Sequence, residues 1–502
     1  VDDNLYDRSS TPMRSNSARN FAIFAVLWFA FVMFTGITRG DLGGYDSAAY
    51  AFEAREMIAS GDLWTPHFNG HPDFDKPPLF IWIVAFTFKI FGISDPSSRI
   101  PCILFGAGIV LLTYLIVRRA FAAETSGGKD EPDLTQFAAL SAAILATTQT
   151  FTKYSANPMT DVPFTFFFTA AIYFYLRSIK KDDAGHGPEL IIAGVMIGLS
   201  NLMRMPFGFM AYLAIAVHIA YCFGPRSLFR KEFAGFTLMS FGLPSVWYLH
   251  EYFVYGQAFI DAYFRNISAH ASAAGDESFT AKAASYLAYI PKIVTRFVPW
   301  IPVVLIGLFF AVKDRVLRHS RFAVLLLIWF LIVLVPFSIA SVKEVRYILP
   351  IYPVLAIVAG YAVLRCFGET GLRRIRRVVA SAMIAIFLVV AFVPNYRIRA
   401  EDMHTLGPLT DEATPVGERI IMYTAGIPQW DRQNELLWYG HRYIDLFTSL
   451  DQAAAEARRS SGRTIVVDKP SLQALTALLG TDVLTVGESD AYAAIRVNFP
   501  EN

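Results

Sequence analysis

The chain has 502 residues, 54% of them hydrophobic and 17% charged, and its formal net charge is +2. That balance excludes a water-soluble fold for most of the chain, and the near-neutral charge gives no reason to expect a nucleic-acid partner. The three cysteines, Cys102, Cys222 and Cys366, fall in apolar runs and have neither a disulfide nor a metal-site spacing.

Apolar runs of about 16–22 residues recur along the chain and predict a polytopic α-helical membrane protein. The first, Phe21–Ile37, lacks a small-residue cleavage site and reads as a retained anchor. After it comes a polar, aromatic stretch, 39–97. Its residues 79–92 are apolar, yet they contain Lys89 and form a run of about 14 residues, too short for a crossing, which predicts a helix lying at the interface.

Crossings are expected near 20–38, 98–117, 135–151, 162–176, 189–203, 206–222, 233–252, 297–312, 322–340, 347–364 and 378–394. The whole number is about 11 to 13. Alternate connections are basic: Arg8, Arg14 and Arg19; Arg118, Arg119 and Lys129; Arg177, Lys180 and Lys181; Arg226, Arg230 and Lys231; Lys313, Arg315, Arg318 and Arg321; Arg373, Arg374, Arg376 and Arg377. The positive-inside bias puts all of these, and the N-terminus, on the cytoplasmic side. The other face then receives 39–97, Asp161, Arg204, 253–296, Lys343–Arg346 and the tail.

The tail, 395–502, changes character. Runs at Arg419–Thr424, Thr464–Asp468 and Ala493–Asn498 read as strands, and Asp451–Arg459 and Ser471–Leu479 as helices. Ser449 and Gln452 make a capping box for the first helix. The expected arrangement is a transmembrane catalytic domain over 1–394 and a soluble α/β domain over 395–502, facing the periplasm. Pro408 and Pro415 mark 395–418 as the linker.

Unusual polar chemistry collects on that outer face. Asp46, after Gly43-Gly44-Tyr45, opens a helical pattern over 47–59 and reads equally as a helix cap. Asp161 lies at the outer mouth of a crossing, where ionisable groups are costly and usually functional. Lys76, in Asp75-Lys76-Pro77-Pro78, is either a snorkelling lysine or a point charge for phosphate. Arg346, beside Lys343 and Tyr347, is a positive charge placed against the topology bias; Arg204 sits in a similar outer turn, and Arg265 in the loop 253–296. Two carboxylates and several cations beside lipid suit a substrate that carries a phosphate and a lipid tail.

These motifs resemble a family. Tyr45-Asp46, Tyr50, Arg55-Glu56-Met57, Gly61-Asp62, Thr65-Pro66 and Phe74-Asp75-Lys76-Pro77-Pro78 are similar to the first outer loop of the protein O-mannosyltransferase superfamily, above all of its bacterial branch that includes the lipid A aminoarabinose transferase. Asp161-Val162-Pro163 resembles the family's second acidic motif, and Arg346-Tyr347-Ile348-Leu349-Pro350 its late motif. The likeness runs over about 20–360; Ser47 stands where many members have Glu, and Asp75 replaces the usual Glu.

The resemblance implies a GT-C glycosyltransferase of the inner membrane. It would take a sugar from a polyprenyl-phosphate donor and give it, with inversion, to a lipid, glycan or protein acceptor at the outer face. Asp46 would match the catalytic aspartate, Asp161 the second acidic residue and Lys76 the donor-phosphate ligand. In the expected mechanism Lys76 and Arg346, with Arg204 or Arg265, hold the phosphate, and Asp46 orients or deprotonates the acceptor. Asp161 positions the acceptor, stabilises positive charge on the sugar or helps hold a cation. Tyr45, Glu53, Asp75 and Tyr347 would position substrate. No cofactor is required, with room left for a divalent cation. The rival reading is a transporter or flippase of lipid-linked sugars, which needs the cations and no base.

Overall fold

A backbone in lipid must satisfy its own hydrogen bonds, and the apolar runs do so as helices. The structure, a computed structural model, describes residues 11–38, 40–43, 45–124, 131–179, 187–204, 206–271, 285–340, 342–392, 401–459, 462–480 and 483–497. Its first part contains α1 (Thr11–Thr35), α2 (Tyr45–Ser60), α3 (Leu79–Phe91), α4 (Asp95–Glu124), α5 (Glu131–Ala146), α6 (Gln149–Ser155), α7 (Asp161–Ser178), α8 (Pro188–Met203), α9 (Phe209–Phe223), α10 (Lys231–Tyr255) and α11 (Gln257–Ala271). Helices Ile301–Lys313, Arg321–Ile339, Tyr352–Cys366 and Glu369–Phe392 follow.

α4, α7, α8 and α10 pack in succession, while α1 lies on α4 and α5. Tyr352–Cys366 sits between α5 and Ile301–Lys313, with Ala356, Ala359 and Gly360 making its close faces. The α8–α10 contact is closer still: a Cβ on Gly194 would run into the Phe236 carbonyl, so only glycine admits this approach.

Four stretches within the described residues are long and apolar enough to cross a membrane: Asn16–Thr35, Asp95–Ala120, Arg321–Ile339 and Val345–Cys366. Several predicted crossings are shorter or broken. The expected 135–151 ends at Ala146 and resumes as α6, because Thr147 and Thr148 turn their hydroxyls onto carbonyls of the preceding turn. At 297–312 the chain bends by 114° between Ser285–Arg296 and Ile301–Lys313. Pro299 and Pro302 there lack the amides that would have continued one helix. α3 is the 13-residue helix expected over 79–92; it buries Phe80, Ile81, Val84 and Phe88 and exposes Phe86, Ile90 and Phe91.

Two short strands, β1 (His67–Phe68) and β2 (His71–Pro72), form a hairpin before α3. The tail carries β3 (Ile420–Tyr423), β4 (Ile444–Phe447), β5 (Thr464–Asp468), β6 (Val483–Glu488) and β7 (Tyr492–Val497) in the order β4-β3-β5-β7-β6. β3 is parallel to β4 and β5, and β7 is antiparallel to β5 and β6. Ile421, Ile465, Val467 and Ile495 face Ala453, Ala457, Leu475 and Leu479 of the helices Leu450–Arg459 and Lys469–Leu479. The alternate residues Ile420, Met422, Val466 and Ala494 join the main core with Leu436 and Leu437. Burial on both faces explains why β3 reads as a continuous apolar run.

One expectation fails here. Within the predicted linker 395–418, residues Glu401–Ala413 form a helix that includes Pro408. It is held by burial of Met403, Leu406 and Thr410 and by Gly407, whose close contact with Tyr439 leaves no room for a side chain.

The tail is fastened to residues 55–95 by specific bonds. Arg55 donates to the carbonyls of Trp438 and Leu437, each at 2.8 Å. Trp438 Nε1 and the Tyr439 hydroxyl donate to the two oxygens of Asp95, each at 2.7 Å. Asn69 exchanges two 2.8 Å bonds with the backbone of Ile444.

Candidate functional site

α2 decides the geometry. It starts at Tyr45, so Asp46 lies inside the first turn and is not the cap. Positions 46, 50 and 53 are separated by four and three residues and therefore share one face. That face meets the segment 73–76. Pro77 biases Lys76 towards an extended backbone, which turns the chain back across α2 before α3 begins. Asp161 is the first residue of α7, where the preceding Thr160 makes no side-chain cap. Arg204 closes α8 in an extended conformation, φ −162°. Arg346 is supplied by the 3₁₀ turn Val345–Ile351, where Pro350 and Pro353 delay the following helix.

These four places converge. Arg346 Nη1 donates to Asp46 Oδ2, and Lys76 Nζ stands 3.6 Å from Asp46 Oδ1 and 3.0 Å from Asp75. Arg204 Nη1 donates to Asp161 Oδ1, while Arg346 Nε lies 3.9 Å from Asp161 Oδ2. Arg346 thus touches both aspartates. Its Nε is buried without a hydrogen-bond partner among the described residues, which leaves a donor directed into the site. Tyr347 lies under both guanidinium groups, 4.2 Å from Arg204 Cζ and 5.6 Å from Arg346 Cζ. Asp46 and Asp161 are 9% and 3% exposed, so these charges interact with little screening by water.

Electrostatics keep Asp46 ionised. Burial pushes its carboxyl up, but Lys76, Arg346 and Arg204 together outweigh that cost and hold it below the ordinary aspartate value. Burial alone would lower Lys76; Tyr50, Asp75 and Asp46 overcome it, and the ammonium is held well above its usual value.

Of the residues expected in the site, Asp46, Asp161, Lys76, Arg204, Arg346, Asp75 and Tyr347 are joined by these contacts. Arg265 is exposed on α11. The side chain of Tyr45 lies outside the described residues. Glu53 faces Asp73. Arg55 and Glu56, part of the recognised motif, serve the tail: Arg55 as above, and Glu56 by accepting from the Tyr443 hydroxyl at 2.5 Å. Two further participants had no role assigned from the sequence, although Tyr50 belongs to the recognised motif. The Lys76 ammonium lies 4.8 Å from the Tyr50 ring centre, and Asp73 anchors the lysine turn. The four-residue spacing of Tyr50 from Asp46 was the available signal.

Among the described residues, no group of three or more His, Cys, Asp or Glu is placed to hold a metal ion. Both aspartates are already neutralised by arginine or lysine. This setting does not fit a divalent cation, and no step below passes through one.

The chain has relatives with this architecture. Residues 75–248 match a family described as dolichyl-phosphate-mannose-protein mannosyltransferase. An uncharacterised protein of Aquifex aeolicus is 29% identical over 62% of this chain and 57% of its own length. The undecaprenyl phosphate-alpha-4-amino-4-deoxy-L-arabinose arabinosyl transferase 2 of Pseudomonas fluorescens is 28% identical over 70% of this chain and 58% of its own. The chain thus spans under three-fifths of the length of these two relatives. The crystal structure of ArnT from Cupriavidus metallidurans bound to undecaprenyl phosphate superposes with a TM-score of 0.74, covering 97% of this chain and 100% of that one at 16% identity. The protein has the GT-C fold, and its resemblance to the aminoarabinose transferase-like branch of the protein O-mannosyltransferase superfamily holds in both sequence and fold.

Proposed function

We propose that this protein is a membrane glycosyltransferase that moves a sugar from a polyprenyl phosphate to an acceptor hydroxyl at the outer face. The observation that carries the reading is the buried constellation of Asp46 and Asp161 with Lys76, Arg346 and Arg204. Its ion pairs are mutually satisfied, so a bare phosphate must compete for the cations. A phosphosugar headgroup does this as it enters: its oxygens draw Lys76 and Arg346 from Asp46 and take up the spare Arg346 Nε–H. Asp46, released from its partners, regains basicity where an acceptor must sit.

In the reaction the bond between the anomeric carbon and the phosphate oxygen breaks, and its electron pair stays on the phosphate. Lys76 and Arg346 stabilise that growing negative charge. The acceptor oxygen bonds to the opposite face of the anomeric carbon, inverting it, and its proton passes to Asp46. Asp161, beside Arg204, holds the acceptor or the sugar. The donor would be a polyprenyl phosphosugar and the acceptor a lipid A, glycan or protein hydroxyl. The N-terminus would face the cytoplasm and the tail the periplasm of the bacterial inner membrane.

The test is transfer by purified protein in detergent, with a synthetic undecaprenyl phosphosugar and acceptors of the three classes. Product with inverted configuration supports the proposal. Transport needs two compartments, so a flippase would yield no product in this assay, and that result would overturn the reading.

A further inference from the structure

The β1–β2 hairpin and the tail enclose a cavity of about 510 Å³ that shares no lining residue with the charged constellation. Its size lies within the range of small-ligand clefts, about 300–1,000 Å³. Its walls come from the Asn69 turn, Arg419, the strand β4 and the helices Trp430–Gly440 and Leu450–Arg459. Asn69 and Gly70, with φ of 54° and 84°, form the two-residue loop between β1 and β2. This places the Asn69 side chain on the amide and carbonyl of Ile444, each at 2.8 Å. β4 is the last strand on its side of the sheet. Its Tyr443 and Phe447 carbonyls accept from the Ile420 and Thr424 amides at 2.8 and 3.0 Å, so the backbone groups of Ile444 and Leu446 turn to the open edge. Asn69 fills the place at Ile444, and the N–H and C=O of Leu446 remain directed to that edge.

The charges around the cavity balance. Asp445 accepts from Arg419 Nε at 2.6 Å and from Arg463 Nη2 at 2.5 Å, and Glu456 accepts from Arg463 Nη1 at 3.1 Å. Arg459, 3.5 Å from Glu456, is exposed and screened by water. Each carboxylate keeps acceptor capacity beyond these bonds. Gln433 is the odd member. It is 4% exposed, and its Oε1 has no hydrogen-bond partner among the described residues. A buried amide oxygen is costly to leave without a donor, and this one belongs to the cavity wall.

We propose that this cavity binds a neutral sugar unit of a glycan acceptor, whose hydroxyl groups donate to Gln433 Oε1 and to Asp445 or Glu456. The assignment to the acceptor rests on the transferase reading. A hydroxyl both donates and accepts, so one sugar can answer the amide oxygen, the carboxylates and the Leu446 N–H. An anion would meet two carboxylates here and an ammonium two guanidinium groups, so the balance favours an uncharged ligand. A peptide strand added to β4 would find its place at Ile444 already taken by Asn69, which leaves Leu446 alone to pair with it. The cavity also lies on the segment that carries the donor-site lysine: the Asp73 amide donates to the Pro66 carbonyl at 2.8 Å, closing the hairpin three residues before Lys76.

The test is titration of the purified full chain in detergent with maltotriose, cellotriose and mannotriose, read by saturation-transfer NMR. At least one trisaccharide should bind. Gln433→Leu removes the amide at similar volume and should weaken that binding about two- to tenfold, the share of one neutral hydrogen bond. Glu456→Ala, on a different helix, should weaken it as well, and decides by the same criterion if Gln433→Leu does not fold. No binding of any trisaccharide to wild type, or an unchanged Kd in folded Gln433→Leu, overturns the sugar site. A serine-threonine octapeptide that binds in place of the trisaccharides would make β4 a strand-addition edge and overturn it too. In the transfer assay Gln433→Leu should raise KM for a glycan acceptor by the same factor, and an unmoved KM overturns the acceptor assignment. Absence of product with every acceptor class is the failure of the transferase reading, and the trisaccharide titration still decides the cavity.

Discussion

Arg346 is the residue on which the site closes, because it alone of the described cations contacts both aspartates. Arg346→Ala and Lys76→Ala each remove a charge-assisted contact to phosphate worth roughly 1.5–3 kcal/mol, which predicts about tenfold to hundredfold weaker binding of undecaprenyl phosphate. Titrating the folded variants with that lipid checks this, and unchanged affinity in both would make the two residues membrane-interface anchors. For Asp46 the chemistry predicts a rate effect. A hydroxyl acceptor is barely ionised near neutral pH, so Asp46→Asn should slow transfer by about 10²–10⁴-fold with donor binding retained. Its held-down carboxyl also sets a pH dependence: the charged form persists above the lowered value and is lost only as pH falls through it. kcat/KM reports the free enzyme and should show no acid limb from Asp46 above about pH 4.

At the scale of elements, the stretch after α1 divides its work. The face of α2 bearing Asp46, Tyr50 and Glu53 builds the site, and Arg55 fastens the helix to the tail. Arg55 lies 5.0 Å from the Phe52 ring centre and 5.4 Å from that of Trp438, in addition to its two carbonyl bonds. Arg55→Ala leaves those two carbonyls without their donor and should cost roughly 1–3 kcal/mol. Thermal unfolding in detergent reads this as a lowered midpoint, with the exposed Arg459→Ala as the unchanged control. The strands at 464–468 and near 420–423 were legible because apolar β-branched runs bounded by turn residues have few alternatives. The helix Glu401–Ala413 was not, because Pro408 signals a break. Its cost is about 3 kcal/mol or more in a helix interior. Burial of Met403 and Leu406 against the tail offsets that cost, and this is a tertiary contribution that no local pattern records.

For the whole molecule, the basic connections define sides. Ala455, exposed on the helix Leu450–Arg459, should face the exterior, and His319, in the basic turn before Arg321–Ile339, the cytoplasm. Ala455→Cys and His319→Cys, each made with Cys366→Ser to remove the exposed native thiol, can be labelled with an impermeant maleimide. Position 455 should react in cells with a permeabilised outer membrane, and position 319 only after lysis. Reaction at 319 alone in the unlysed cells would invert the topology. Chain length along a helix does not count crossings here: α3, Leu134–Ala146, Pro188–Met203 and Phe209–Phe223 are apolar and short. Bends and breaks at prolines and threonines decide how much of each run is one straight helix.

The sequence by itself determined the helical membrane class, the gathering of carboxylates and cations outside the apolar runs, and three of the tail's five strands, missing Ile444–Phe447 and Val483–Glu488. Each follows from composition or from a local period, which need no knowledge of distant neighbours. It also singled out Asp46, Lys76, Asp161, Arg204 and Arg346, because charge beside lipid is costly wherever it occurs. Only the tertiary structure decided how they pair, since Asp46 and Arg346 stand 300 residues apart in the chain. It separated Arg55 and Glu56 from the site although they share its motif, because a helix turns successive residues to different faces. It also laid the Lys76 ammonium over the Tyr50 ring, 4.8 Å from its centre, a contact between segments that no local period records.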